Sequence, residues 1–331
     1  MDSEGFAKFL EGRGLSQDEI DRSLAIVKKY EIFLQDGQQG RTLKTASRED
    51  AQAFSAVMID QELNSYDNYV ALARYGLFSK NKDLYISVLE LLDGSEALGN
   101  LHRKVAQQLG AADRDEIFAG IQLPPLGTPN SRKPGVMSLV VDRLEKVAGA
   151  ETCKKILGSG LRDLEYGWYE QEKKKFTESR DIDDYLEKKG QDFIAQLKDI
   201  KDQEKLFFNQ EITDEVISYV DRVPEIRQGV REGNILFEVK IPHMAKEYLA
   251  ETDDSMKRYY YCHCPWVKES LKTEQVKVPP IFCNCSAAFH KKPWEVIFDQ
   301  PLQAEIVESV LLGDQWCKIA IHLPDQVIPE G

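Results

Sequence analysis

The sequence predicts an α+β fold: an N-terminal helical bundle followed by a mixed domain with a partly antiparallel sheet. Three observations carry that expectation. Apolar residues recur at helical spacing through the first ninety residues, the period shifts to strand alternation at "GNILFEVKIP", and "LQAEIVESVLLGDQWCKIAIHLP" alternates again on both sides of a Gly-Asp turn. At 331 residues the chain is long enough for two domains. The bundle is expected over residues 1–121, a proline-rich linker or surface loop over 122–135, and the α+β domain over 136–331.

The first helix signal is "LSQDEIDRSLAIVKKYEIFL". Ser16 and Glu19 have capping-box spacing, Leu15 and Ile20 sit where a hydrophobic staple forms, and Leu24, Val27 and Leu34 continue the stripe. A second helix opens at Ser47, with Asp50 three residues on. "SYDNYVALARYGLF" and "NKDLYISVLELLDG" supply two more. Four prolines between 124 and 134 stop any helix there. "VMSLVVDRLEKVAGAETCKKIL" resumes one, with Cys153 expected as a buried thiol. Residues 163–223 are charged and read as mostly helical, their mixed signs marking a solvated face. Ile235, Phe237, Val239 and Ile241 then alternate with Leu236, Glu238 and Lys240 in a half-buried strand closed by Pro242. The terminal hairpin turns through Gly313-Asp314 and aligns Cys317, Ile319, Ile321 and Leu323 on one face.

Net charge narrows the partners. At −13 the chain lacks the general affinity for phosphate backbones or anionic membranes that a basic protein has. No apolar run approaches the roughly 20 residues that span a bilayer. The opening "MDSEGFAKFLEGRG" is acidic where a secretory signal is basic, so a cytoplasmic location is expected.

Cysteine is sparse and crowded. Five of the six residues, Cys262, Cys264, Cys283, Cys285 and Cys317, fall within one stretch, four of them as two Cys-x-Cys pairs in "YYYCHCPWVKES" and "FCNCSAAFH". In an extended segment both cysteines of such a pair project to one side. Two segments brought face to face then offer four thiolates, a set suited to zinc or, as the lesser option, an iron–sulfur centre. His290 is the candidate fourth ligand should one cysteine stay free, and His263 joins only where the backbone kinks, as Pro265 allows. Two other readings stand beside metal binding. The thiols are simply buried, or one is reactive, with Cys285 or Cys262 as nucleophile and His290 or His263 as base. Lys291 and Lys292 are near enough in sequence to favour a thiolate at Cys285.

Around this cluster, Trp266, Phe289 and Trp294 are expected to supply apolar ligand-binding surface, and His243 to face a pocket at the strand end. Glu238, Glu305 and Glu308 lie on strands and are expected as strand-edge charges, a pocket role being the alternative. His102 and His322 read as surface or satisfied histidines. No nucleotide-binding, hydrolase-elbow or zinc-protease motif is present.

Two segments resemble known families. "FAKFLEGRGLSQDEIDRSLAIVKKYEIFL" with "SREDAQAFSAVMIDQELNSYDNYVALARYGLF" resembles the core-binding domain of tyrosine recombinases, in helix pattern. Through Asp93, however, 11 basic residues face 16 acidic ones, the wrong balance for a DNA clamp. The terminal "HKKPWEVIFDQPLQAEIVESVLLGDQWCKIAIHLP" resembles the end of vinyl-reductase-type small-ligand-binding domains and of aminothiazoline-carboxylate hydrolase-like proteins. Glu308, Gly313, Asp314 and Cys317 carry that likeness. It implies an α+β domain with an internal pocket for a small, largely apolar molecule and cysteines that hold metal. The chain as a whole resembles bacterial or archaeal proteins. The expected function is a zinc-holding, small-molecule-binding protein, with a thiol- or metal-dependent enzyme, such as a hydrolase, as the alternative.

Overall fold

Capped amphipathic helices build the N-terminal part, as their sequence signals require. The computed structural model describes residues 1–37, 41–163, 167–273 and 275–325. Residues 164–166, inside the charged stretch expected to be helical, lie outside the described residues. The chain divides into two units: Met1–Ser95 with Gln122–Lys133, and Glu96–Ile121 with Pro134–Gly331. The division therefore falls at residue 95 rather than 121, and the proline-rich segment returns to the first unit. It is held there by side chains: Asn64 Nδ2 donates to the Leu126 carbonyl (3.1 Å) and Ser55 Oγ to the Gly127 carbonyl (2.7 Å).

The first unit holds α1 (Ser3–Glu11), α2 (Gln17–Asp36), α3 (Arg48–Asp60), α4 (Tyr66–Phe78) and α5 (Lys82–Leu92). Short α1 adds a fifth helix to the four legible in sequence; Phe6 and Leu10 bury it. Ser16 and Ser47 both cap as expected, their backbone N–H groups donating to Glu19 (2.8 Å) and Asp50 (2.9 Å).

In the second unit, α6 (Ala97–Leu109), α7 (Ala111–Ile117), α8 (Lys133–Ala148), α9 (Ala150–Leu157), α10 (Gly167–Thr177) and α11 (Ile182–Asp202) precede a two-stranded ribbon, β1 (Leu206–Phe207) and β2 (Gln210–Glu211). Then come α12 (Asp214–Arg222), α13 (Pro224–Arg227), β3 (Val230–Glu232), β4 (Ile235–Val239), α14 (Ala245–Ala250), α15 (Asp254–Tyr261), α16 (Asn284–Phe298), β5 (Gln303–Glu308) and β6 (Lys318–His322). The main sheet is antiparallel throughout, in the order β3-β4-β6-β5. The α+β class is thus as the sequence predicts. Among the described residues no helix is long and apolar enough to cross a membrane.

The register decides which face of β4 matters. Leu236 opposes Ile321 and Glu238 opposes Ile319, so these share a face with Ala304 and Ile306 of β5. Leu236, Ile319 and Ile321 are fully buried there against Trp294 and Ile297 of α16. Glu238 lies on that covered face, buried, which corrects its expected place as a strand-edge charge. Cys317, just before β6, packs on the same cluster, as its alignment with Ile319 and Ile321 requires.

Gly76 of α4 lies so close to α5 that an added Cβ would meet the Tyr85 backbone nitrogen at 2.8 Å. Backbone atoms cannot step aside as a flexible side chain does. Gly76→Ala is expected to destabilise the protein by about 1–3 kcal/mol, read as a lower urea midpoint at unchanged slope.

Candidate functional site

Four-residue spacing on α16 turns Ser286, His290 and Trp294 to one face, above the inward residues of β4. The Glu238 carboxylate is the centre of the resulting network. One oxygen accepts from Lys189 Nζ (2.7 Å) and Trp294 Nε1 (3.2 Å), and the other pairs with His290 Nδ1 (3.0 Å). Lys189 arrives from α11, which at Gly190 packs closely on the connection between α13 and β3; a Cβ there would lie 2.5 Å from Gln228 Oε1. Burial by itself raises the Glu238 pKa, but the Lys189 charge and the His290 hydrogen bond outweigh it and hold the carboxyl down at about 2. Burial keeps His290 below the ordinary histidine range, and Glu238 opposes this in part. The imidazole is therefore neutral near pH 7, with its proton on Nδ1 toward the carboxylate. Its other nitrogen, Nε2, is buried and has no hydrogen-bond partner among the described residues.

Lys240 follows Glu238 by two residues and shares its face. Its ammonium donates to Ser286 Oγ (3.2 Å) and sits 4.3 Å from the centre of the Phe289 ring. Burial pushes its pKa down, while the nearby Cys317, Cys285, Cys264 and Cys262 thiols pull it up. Among the described residues no carboxylate pairs with it.

Those thiols gather beneath the start of α16. After β4 the chain runs beside the end of α15, His243 and Met244 donating their N–H groups to the Tyr261 and Tyr260 carbonyls (3.2 and 2.9 Å). That brings in Cys262 and Cys264. Cys283 ends a 3-10 turn (Pro280–Cys283) and Cys285 lies in the first turn of α16. The second Cys-x-Cys pair is thus helical, where the one-sided projection argued for it needs extended chain. Cys317 joins the group through Ser309, whose hydroxyl donates to Cys283 Sγ (3.2 Å). Burial raises every one of these thiols, Cys262 to about 12, and neighbouring sulfurs raise Cys262, Cys264 and Cys283 further. Among the described residues, no three His, Cys, Asp or Glu groups stand so as to hold one metal ion.

A cavity of about 630 Å³ opens over this network, lined by Lys189, Glu238, Lys240, His263, Phe289, His290 and Trp294 together with Phe193, Phe207 and Phe208. A second cleft, of about 470 Å³, lies along another side of α16; Cys285, Phe289 and Lys292 line it with Arg103, Lys104 and Arg162. Of the residues singled out in sequence, His290, His263, Phe289 and Trp294 meet at the first cavity. His263 Nε2 donates to the Ile241 carbonyl (2.7 Å), and burial holds its pKa at about 3. Trp266 is packed in the core and His243 stands edge-on to His263 at 5.0 Å; neither lines these two cavities. Cys153 is fully buried as expected. His102 packs edge-on to Phe118, His322 pairs with exposed Glu305, and Glu308 accepts from Trp316 Nε1.

Lys189 and Lys240 escaped the sequence reading. A lysine in a mixed-charge helix and another near a strand end look like solvent-facing charges. The available signal was Glu238-x-Lys240 following Leu236, a polar pair in register with an apolar residue.

The chain matches no family model, no curated protein and no solved structure. Side-chain geometry therefore carries the functional reading.

Glu238 also sets an acid limit. Its folded pKa lies below its unfolded value of about 4.3, so the unfolded chain takes up the proton first as pH falls. The stabilisation, about 3 kcal/mol, is complete above about pH 5 and is lost between there and about pH 2. Urea melts of Glu238→Gln should show roughly 3–5 kcal/mol lost at pH 7, from unpaired Lys189, and a flatter acid limb.

Proposed function

We propose that the second unit binds a small anionic molecule in the 630 Å³ cavity, with Lys240 as its countercharge and His290 Nε2 as acceptor or base. The observation that supports this most directly is Lys240: a half-buried ammonium with a hydroxyl and an aromatic face beside it but no carboxylate paired with it among the described residues. A charge taken out of water is costly until an opposite charge joins it. A ligand carboxylate, sulfonate or phosphate meets that requirement. His290 adds chemistry: a carboxylate on Nδ1 fixes the tautomer and leaves a lone pair on Nε2, the arrangement by which histidines act as general bases. A hydrolytic enzyme using that base is the alternative within the same cavity.

The test uses 8-anilinonaphthalene-1-sulfonate, a fluorescent sulfonate, and Lys240→Met. The wild type should bind the dye and the variant should bind it at least about tenfold more weakly, the value of a charged hydrogen bond, with an unchanged circular dichroism spectrum. Equal binding by both proteins overturns the role of Lys240.

A second reading keeps zinc at the thiol cluster, supported by five thiols in one neighbourhood, Cys317 now among them. Cys262, Cys264, Cys283 and Cys285 would be its ligands, and a bound dication would share them with the Lys240 ammonium. Purified without chelator, the protein should then carry close to one zinc per chain, and Cys264→Ser should lose it. Protein that stays metal-free after reconstitution, with all thiols slow toward Ellman's reagent at pH 7.5, is the outcome expected of buried thiols instead. One fast thiol in that assay would favour a nucleophilic cysteine.

A further inference from the structure

The two-residue turn of the β1–β2 ribbon carries the wrong residue for its conformation. Leu206 pairs with Glu211 and Phe207 with Gln210, which leaves Phe208 and Asn209 as the whole loop. Both have positive φ, +46° and +63°. Turns of this kind favour Asn, Asp or Gly, because a large side chain at positive φ crowds its own backbone. Asn209 suits its place; Phe208 does not. Phe208 is also 55% exposed, so burial does not repay the misfit.

The ribbon is not free to carry that ring elsewhere. Gln210 is buried, its amide donating to the Pro242 carbonyl (2.8 Å) and accepting from the Ala245 N–H (2.7 Å). Both partners belong to the segment that follows β4. The Phe208 ring is thereby held at the cavity wall, 4.6 Å from the Phe207 ring and edge-on to His263 at 5.9 Å. A strained, exposed aromatic fixed at a cavity is the pattern of a residue retained for contact with a ligand rather than for the fold.

Building on the anion-binding reading above, we infer that Phe208 is a ligand-contacting specificity residue and that the ligand is a flat aromatic anion, its ring against Phe208 and its charge toward Lys240. Aromatic faces pair best with other flat rings, and the neighbouring Phe207 and Phe289 continue the same wall. An aliphatic anion of equal size would satisfy Lys240 but leave the aromatic wall without a matching partner.

Three variants of position 208 separate this from a structural role, using dye binding together with displacement by benzoate and by cyclohexanecarboxylate. Phe208→Asn should melt about 2–4 °C higher, because the turn is relieved, yet bind the dye about three- to tenfold more weakly. Phe208→Tyr should retain the wild-type affinity, and Phe208→Leu, apolar but without a ring, should lose as much as Phe208→Asn. Benzoate should displace the dye at lower concentration than cyclohexanecarboxylate in the wild type and lose that advantage in Phe208→Leu. Dye binding that depends on Lys240 but is unchanged in Phe208→Asn overturns the contact while leaving the anion site standing. Leucine equal to phenylalanine, or no preference for benzoate, overturns the aromatic class. A wild type that binds no dye removes the anion site itself, and the Phe208 contact with it.

Discussion

Glu238 accepts three donors from two helices inside the second unit, and much of the site's order depends on that arrangement. A lone carboxylate would not remain charged there, since leaving water costs it several kcal/mol. Lys189 and His290 reverse the balance, and Trp294 adds a third donor. In doing so they fix α11 and α16 against β4 at one separation. They also fix the chemistry of His290: its Nδ1 is committed to the carboxylate, which leaves Nε2 as the nitrogen without a partner among the described residues.

Burial acts in opposite senses on the groups around Lys240. It drives the thiols toward their neutral, protonated form and drives the ammonium toward neutrality as well. Cysteines and lysine therefore do not form a ready ion pair. Phe289 stands between the larger cavity and the basic cleft lined by Arg162 and Lys104, touching both spaces. The acidic chain thus gathers cations at the cleft on one side of α16, an arrangement that net charge conceals.

Strain at Phe208 fits the same picture. Local preference is obeyed at the caps of α2 and α3 and at Asn209, where nothing but the fold is at stake. It is broken at Phe208, which lines the cavity, and at the exposed residues Glu62, Lys80 and Glu204 as well.

The helices of the first unit, the antiparallel hairpin at the C-terminus and the inward row of Cys317, Ile319 and Ile321 were legible in sequence, because period and capping are local properties. His290, Phe289 and Trp294 could be singled out by residue type and by closeness to the cysteines. That Glu238 points inward could not, since a strand alternates identically whichever face is covered, and only the pairing of β4 with β6 beneath α16 chose the face. The return of the proline-rich segment to the first unit, the approach of Lys189 from α11 and the meeting of Cys317 with the other thiols all join residues far apart in the chain. Sequence by itself determined the elements and the kinds of chemistry available. Tertiary structure decided which charges are buried together, because burial and pairing are properties of neighbours in space, and those neighbours come from distant parts of the chain.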